Sequence, residues 1–249
     1  DVCSSDLAPI CVPCARELGL HDPDTGLPRW HDPDEDEPET MAKTYDFENG
    51  SDGWASEITD YTDATRPQDV LSETGVSPPG LDVGSGFFHL AASNPSDDVF
   101  AYLLRQVPAD AGLEADQTYR AAFTVDFASD APTGCAGIGG APGESVYFKV
   151  GASPEQPVPV SEDGGSRLAV DKGGQSQGGD AAVVAGTIEN GIPCEEALEA
   201  DPPPYAMVTL SGTLEVATAD DGSLWLFVGT DSGFEGRTSI YYDRIEVTL

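Results

Sequence analysis

From Thr44 onward, apolar and polar residues alternate in short runs broken by Gly, Asn and Asp. In the run 119–127, Tyr119, Ala121, Phe123, Val125 and Phe127 fall on one face. In the run 205–216, Met207, Thr209, Ser211 and Thr213 oppose Val208, Leu210, Gly212 and Leu214. A period of two, with β-branched residues and turn-forming breaks, predicts strands. The same reading places strands at 44–47, 86–91, 99–107, 119–127, 145–151, 167–171, 182–188, 205–216, 223–229 and 238–248. Many short strands without a βαβ rhythm predict an all-β fold, a two-sheet antiparallel β-sandwich of the jelly-roll kind. The Gly-rich stretches 134–143, 173–179 and 229–236 read as loops between strands.

The first part of the chain does not follow this pattern. Residues 21–39 are acidic and interrupted by proline, so they self-repel and bury little apolar surface. Residues 1–42 therefore read as a Cys-containing acidic tether, with at most one helical turn at Ala15–Leu20, and residues 43–249 as the sandwich. The chain begins at Asp1 without a signal-like apolar stretch, as a mature or trimmed form does.

Charge narrows the partners. Forty-five acids face eleven bases, for a net charge of −34, and only Lys43, Lys149 and Lys172 are lysines. Nucleic acid and anionic membrane surfaces need clustered Lys and Arg, so neither is expected. No apolar run approaches the roughly 18 residues of a membrane span. Five cysteines among so few lysines suggest an oxidising, extracellular or periplasmic setting.

Candidate chemistry is sparse. His89 is the one histidine of the sandwich and sits in mid-strand between Phe88 and Leu90, where a satisfied sheet histidine is expected. A Ser–His–Asp arrangement would rest on it alone, and a His-rich zinc centre is excluded from the sandwich on supply. Loop carboxylates such as Glu144, Glu235, Asp97 and Asp231 leave room for a glycosidase pair, but acids are so abundant that their presence alone is uninformative.

Cys135 and Cys194 are the two cysteines of the sandwich and are expected to pair. Three strand crossings between them would leave them at opposite ends, so the short segment 167–171 is expected not to span a sheet. Loops 93–98, 128–144, 189–204 and 230–237 then gather at one end. This end is the expected ligand site, with Phe234 as aromatic platform and Glu235, Asp231, Glu144, Asn94, Asp97, Lys172 and Gln175 as polar companions. Lys172 is expected to pair with Asp171 or Glu144, and Trp54 to plug the open end of the sandwich. In the tether, Cys3, Cys11, Cys14 and His21 match a Cys3His zinc set, but an oxidising setting favours a disulfide plus one free or intermolecular thiol.

The sandwich opens Tyr45-Asp-Phe-Glu-Asn-Gly-Ser-Asp-Gly-Trp54 and closes Ser239-Ile-Tyr-Tyr-Asp-Arg-Ile-Glu-Val-Thr-Leu249. Both ends resemble bacterial carbohydrate-binding-module-like (galactose-binding-like) jelly rolls. The central segments 139–147, 171–176 and 229–236 resemble a group of secreted bacterial proteins. The resemblance implies that the first and last strands lie side by side and share a structural Ca²⁺, for which Glu48 and Asp243, with Asp46 third, are the matching ligands. The expectation is a secreted or surface-attached, glycan-binding sandwich. The alternatives are a non-catalytic structural or protein-interaction domain of an extracellular assembly and a carboxylate-dependent glycoside hydrolase or lyase.

Overall fold

The computed structural model describes residues 41–249, except 85, 97 and 163. The expectations for the tether, including Cys3, Cys11, Cys14 and His21, and for Asp97 lie outside the described residues.

Two antiparallel sheets face each other. The first is built from β1 (Ala42–Tyr45), β4 (Gln68–Val76), β5 (Phe87–Ser93), β7 (Thr118–Ser129), β12 (Ala206–Ala217) and β14 (Arg237–Thr248). Its order is β12-β7-β14-β5-β4, with β1 beside the C-terminal half of β14. The second is built from β2 (Ala55–Thr59), β6 (Val99–Val107), β8 (Val146–Ser153), β11 (Ala182–Thr187) and β13 (Leu224–Ser232), in the order β11-β8-β13-β6-β2. A small third sheet joins β3 (Tyr61–Thr62), β9 (Pro159–Glu162) and β10 (Gly165–Leu168) in the order β3-β10-β9. A short helix, α1 (Cys194–Glu199), precedes β12. The chain passes repeatedly from one large sheet to the other, so the first and last strands come to lie side by side.

The core follows from alternation. Ala121, Phe123, Val125 and Phe127 of β7 are buried against Val146, Phe148, Val150 and Ala152 of β8 and Leu224, Leu226 and Val228 of β13. Phe127 and Phe148 stack at 4.7 Å between ring centroids. In β14, Ile240 and Tyr242 point inward, as do Ile245 and Val247. Their parity changes because the ladder with β7 carries a register shift between Tyr242 and Arg244. The extra residue is Asp243, and this bulge keeps apolar residues inward on both sides of it. Trp54 is buried with its ring edge-on to Tyr45, at the core position expected of a plug.

The second sheet is covered on its outer face as well. Phe100, Tyr102 and Leu104 of β6 and Phe227 of β13 pack with Leu168, Val170, Ala181 and Ala182. Tyr102 donates its hydroxyl hydrogen to the carbonyl of Pro157 at 2.7 Å. This double burial explains the nearly continuous apolar run of β6, since both of its faces meet protein.

Several elements differ from the sequence reading. β2, β4 and β9 carry no clear apolar alternation. β4 is an edge strand exposed along nearly its whole length, so its backbone ladder alone defines it. The segment expected at 167–171 belongs to β10 in the small sheet and spans neither large sheet. α1 lies where a loop was expected.

Candidate functional site

Only β8 and β11 cross a large sheet between residues 135 and 194, so both cysteines reach the same end. They form a disulfide. Beside it, Thr133 donates its N–H to Ile192 at 2.8 Å, and Cys194 donates to Thr133 at 3.0 Å. Asn94 reaches the loop after β13 through its side-chain amide, donating to the carbonyls of Ser232 at 3.2 Å and Phe234 at 3.0 Å. Glu235 N–H donates to Ile138 at 2.9 Å, and Gly233 N–H to Ser145 at 3.0 Å. The four loops therefore meet through their backbones.

The expected ligand residues take unexpected roles there. The Phe234 ring lies between Gly137 and Gly236, where an added Cβ would come within 2.5 and 2.3 Å of it. It packs on the main core and does not stand free as a platform. The glycines that suggested an open loop are the space the ring fills. Asn94 is buried and spent on backbone carbonyls. Glu144 accepts from Gly134 N–H at 2.6 Å, leaving its Oε2 buried without a partner among the described residues. Gln175 lies against Gly233 and lines a cleft of about 380 Å³ with Asp60, Asp98 and Arg167.

Lys172 and Asp231 belong to an ionic cluster on the outer face of the second sheet. The Lys172 ammonium lies 2.6 Å from Asp231 Oδ2 and 2.7 Å from Asp60 Oδ2, so its partners are not Asp171 or Glu144. The carboxylate of Asp171 instead accepts from the backbone of Gly173 and Asp180. Lys149, fully buried on β8, lies 2.9 Å from Asp231 Oδ2. It also donates to the carbonyls of Lys172 at 2.9 Å, Gly174 at 2.5 Å and Gln177 at 3.0 Å. Burial works against the Lys172 ammonium, but Asp231 and Asp60 outweigh it and hold its pKa above the usual lysine range. Burial, then Asp60 and Asp231, push the Asp98 carboxyl up. Asp60, Asp98 and Asp231 each offer an oxygen within 4.8 Å of the others, the one such group among the described residues. Two ammonium groups already stand at that group and offset most of its charge.

His89, Ser239 and Glu73 form a polar chain on the outer face of the first sheet. His89 Nε2 lies 3.0 Å from Ser239 Oγ, and Nδ1 lies 3.2 Å from Glu73 Oε1. The ring stacks on Tyr241 at 3.9 Å between centroids. The order resembles nucleophile, base and orienter. However, Ser239 is 3% exposed and accepts the Tyr205 hydroxyl hydrogen at 2.9 Å. Its oxygen is committed inside a packed surface, and the chain fits a satisfied sheet histidine.

Burial pulls the His89 pKa below its ordinary value of 6.5, with Glu73 opposing. The folded state therefore binds a proton less readily than the unfolded chain, and the stability His89 contributes is lost as pH falls below 6.5 toward the depressed value. Thermal melts of the wild type and His89→Gln between pH 7.5 and about 5 test this against the ordinary His range. The wild type is expected to lose stability relative to the variant across that window, and parallel curves would refute the assignment.

Two further clefts lie elsewhere and meet at Arg105. Arg105, at an inward position near the end of β6, lies over the Tyr45 ring at 4.4 Å. Its Nε is buried without a partner among the described residues. Gly53, with φ +77°, leaves room for it, since a Cβ there would fall 2.3 Å from a guanidinium nitrogen. A cleft of about 770 Å³ on one side is lined by Lys43, Tyr45, Asp46, Asp52, Arg105 and Gln106. Another of about 440 Å³ is lined by Glu57, Arg105, Gln106, Gln156 and Trp225. Gly53, Arg105, Gln106 and Pro108 line both. The signal for this site was in the sequence: the polar pair Arg105-Gln106 near the end of a mostly apolar strand, with Arg105 at an inward position.

Asp46, Glu48 and Asp243 lie near the junction of β1 and β14. Burial raises the Asp243 pKa, and Asp126, Glu48 and Asp46 add to the rise while Arg244 opposes it. Asp46 Oδ1 accepts from Glu48 N–H at 3.2 Å.

No protein-family model and no curated protein matches the chain. Among solved structures, it is similar to the CBM22-1 xylan-binding domain of Paenibacillus barcinonensis Xyn10C, with 9% identity, TM-score 0.36, and 83% of this chain and 93% of that one covered. It is also similar to the K3 cleaved adhesin domain of Lys-gingipain from Porphyromonas gingivalis, with 14% identity, TM-score 0.37, and 83% and 98% covered. A third is the family 11 carbohydrate-binding module of Clostridium thermocellum Lic26A-Cel5E, with 11% identity, TM-score 0.38, and 83% and 94% covered. Likenesses of this size carry no argument about ligand or site.

Proposed function

We propose that the domain is a secreted or surface-attached, non-catalytic module that binds a glycan in the furrow around Arg105. The furrow itself supports this reading. It sets the Arg105 guanidinium, the amides of Gln106 and Gln156 and the carboxylate of Glu57 beside the half-buried Trp225. Sugars present apolar ring faces and rims of hydroxyls, which such mixed walls suit. The Cys135–Cys194 disulfide fits an oxidising compartment. A structural Ca²⁺ held by Glu48 and Asp243, with Asp46, belongs to the same proposal, because carboxylates gathered at the junction of the first and last strands are the hard oxygen ligands that such an ion takes.

A glycan array of the full chain, with and without EDTA, tests the reading. A hit is expected to weaken about tenfold or more, roughly 1.4 kcal/mol, in Trp225→Ala and in Arg105→Met. EDTA is expected to lower the melting temperature. No hit, or a hit untouched by both substitutions, would reject the furrow; an unchanged melt would reject the ion.

A second reading has its own observation. Ile138 is 72% and Leu198 79% exposed, on the two segments that the disulfide joins. Apolar side chains held out on a tied end suit contact with another extracellular protein.

A further inference from the structure

The ionic cluster has the parts of a condensation site. Lys172 Nζ is 2.6 Å from an Asp231 carboxylate oxygen, and both residues are buried on the outer face of the second sheet. Asp231 is wholly buried, and its two oxygens differ sharply. Oδ2 faces both ammonium groups, whereas Oδ1 has no hydrogen-bond partner among the described residues. An unpartnered carboxylate oxygen at zero exposure is costly, and removing two charges from water costs several kcal/mol per ion. Conversion of the pair to a neutral amide removes both penalties.

We propose that Lys172 and Asp231 form an intramolecular isopeptide bond, with Lys149 as the fixed cation on the reacting carboxyl and Asp60 as the proton carrier. Asp60, 2.7 Å from Lys172 Nζ, takes one proton from the ammonium and passes it to the Asp231 carboxyl, an oxygen of which lies within 4.8 Å of its own. That transfer frees the amine lone pair and makes Asp231 the neutral acid, the form an amine attacks. Nζ then bonds to Cγ, and the electron pair moves onto Oδ2, where the Lys149 ammonium at 2.9 Å meets the developing charge. The C–Oδ1 bond breaks. Oδ1 leaves as water carrying two of the three ammonium protons, one relayed through Asp60 and one transferred directly. The third proton stays on the amide nitrogen. One ammonium and one carboxylate thus give one amide and one water, with no outside reagent.

The surroundings suit each step. Asp98 completes the group of three carboxyls within 4.8 Å. The cleft of about 380 Å³ reaches Asp60, Asp98 and Lys172, which gives the water an exit. Lys149 does not compete as nucleophile, because three carbonyls take its N–H groups. Holding amine and carboxyl in contact supplies the proximity that makes an otherwise slow condensation intramolecular. The product ties the segment after β10 covalently to β13.

The test is the intact mass of the denatured, disulfide-reduced full chain. A deficit of one water, about 18 Da, is expected against the sequence mass. Proteolysis with tandem mass spectrometry should then recover the peptide containing Lys172 joined to the one containing Asp231. Lys172→Arg should restore the full mass, and Asp60→Asn should slow its loss. The undiminished mass in the wild type overturns the proposal, whatever the variants do. So does a deficit mapped to a cyclised aspartate at Asp52-Gly53 or Asp221-Gly222, or a link through Lys149.

Discussion

While Asp231 is a carboxylate, replacing Lys149 by methionine is expected to destabilise the domain by about 3–5 kcal/mol, the range for breaking a buried ion pair from one side. Methionine keeps much of the side-chain volume, so the loss measures charge and hydrogen bonds more than packing. The substitution strips the carbonyls of Lys172, Gly174 and Gln177 of a common donor and takes one cation from Asp231. The bond to the Lys172 carbonyl is buried, and those to Gly174 and Gln177 are part-buried, so the loss falls most heavily on the Lys172 carbonyl. Urea unfolding of the full chain gives the stability change, and amide hydrogen exchange gives its location. The amides of residues 172–177 should exchange faster even where the global loss is modest. A cost below about 1 kcal/mol, the worth of an exposed pair, would mean that the carbonyl cage does not hold this loop.

The second large effect belongs to the disulfide. Cys135 and Cys194 are separated by 59 positions, and closing a loop of that length removes chain entropy worth about 4 kcal/mol from the unfolded state. The bond also sits beside the Thr133–Ile192 and Cys194–Thr133 backbone contacts, so its loss frees two loops together. Reduction with dithiothreitol should lower the urea midpoint of the wild type. The paired substitution Cys135→Ser with Cys194→Ser should match the reduced protein and no longer respond to reductant. Equal midpoints with and without reductant would show that packing alone ties this end.

The legible part of the fold is the part with one wet face and one dry face. β7 could be read from Tyr119 to Phe127 because each inward residue meets the opposite sheet while its neighbours meet less of it. The parity of strand crossings was equally readable. It requires Cys135 and Cys194 to share an end only if 167–171 leaves the large sheets, as β10 does. β2 and β4 were not readable, because edge strands need no apolar alternation to join a ladder. The bulge at Asp243 could be seen only against the β7 ladder.

The candidate sites divide in the same way. Phe234 looked like a platform because its loop is rich in glycine, yet the glycines are contacts for its ring. Lys172 looked like the partner of its neighbour Asp171, yet it binds Asp231, 59 positions away, and Asp60. Asp231 and Asn94 looked available to a ligand, but both are buried. Arg105 stood in the sequence as a charged residue in a mostly apolar strand, and its meaning needed Tyr45 and Gly53 beside it.

By itself, the sequence determined the all-β architecture, the pairing of Cys135 with Cys194 and the acidity that disfavours polyanionic partners. Those properties depend on local alternation, on counting and on net charge. The tertiary structure decided which charges meet, which aromatic rings stay exposed and where the concave surface lies. Strand order and the covering of one sheet by a distant segment place those groups, and neither is written in the neighbourhood of any one residue.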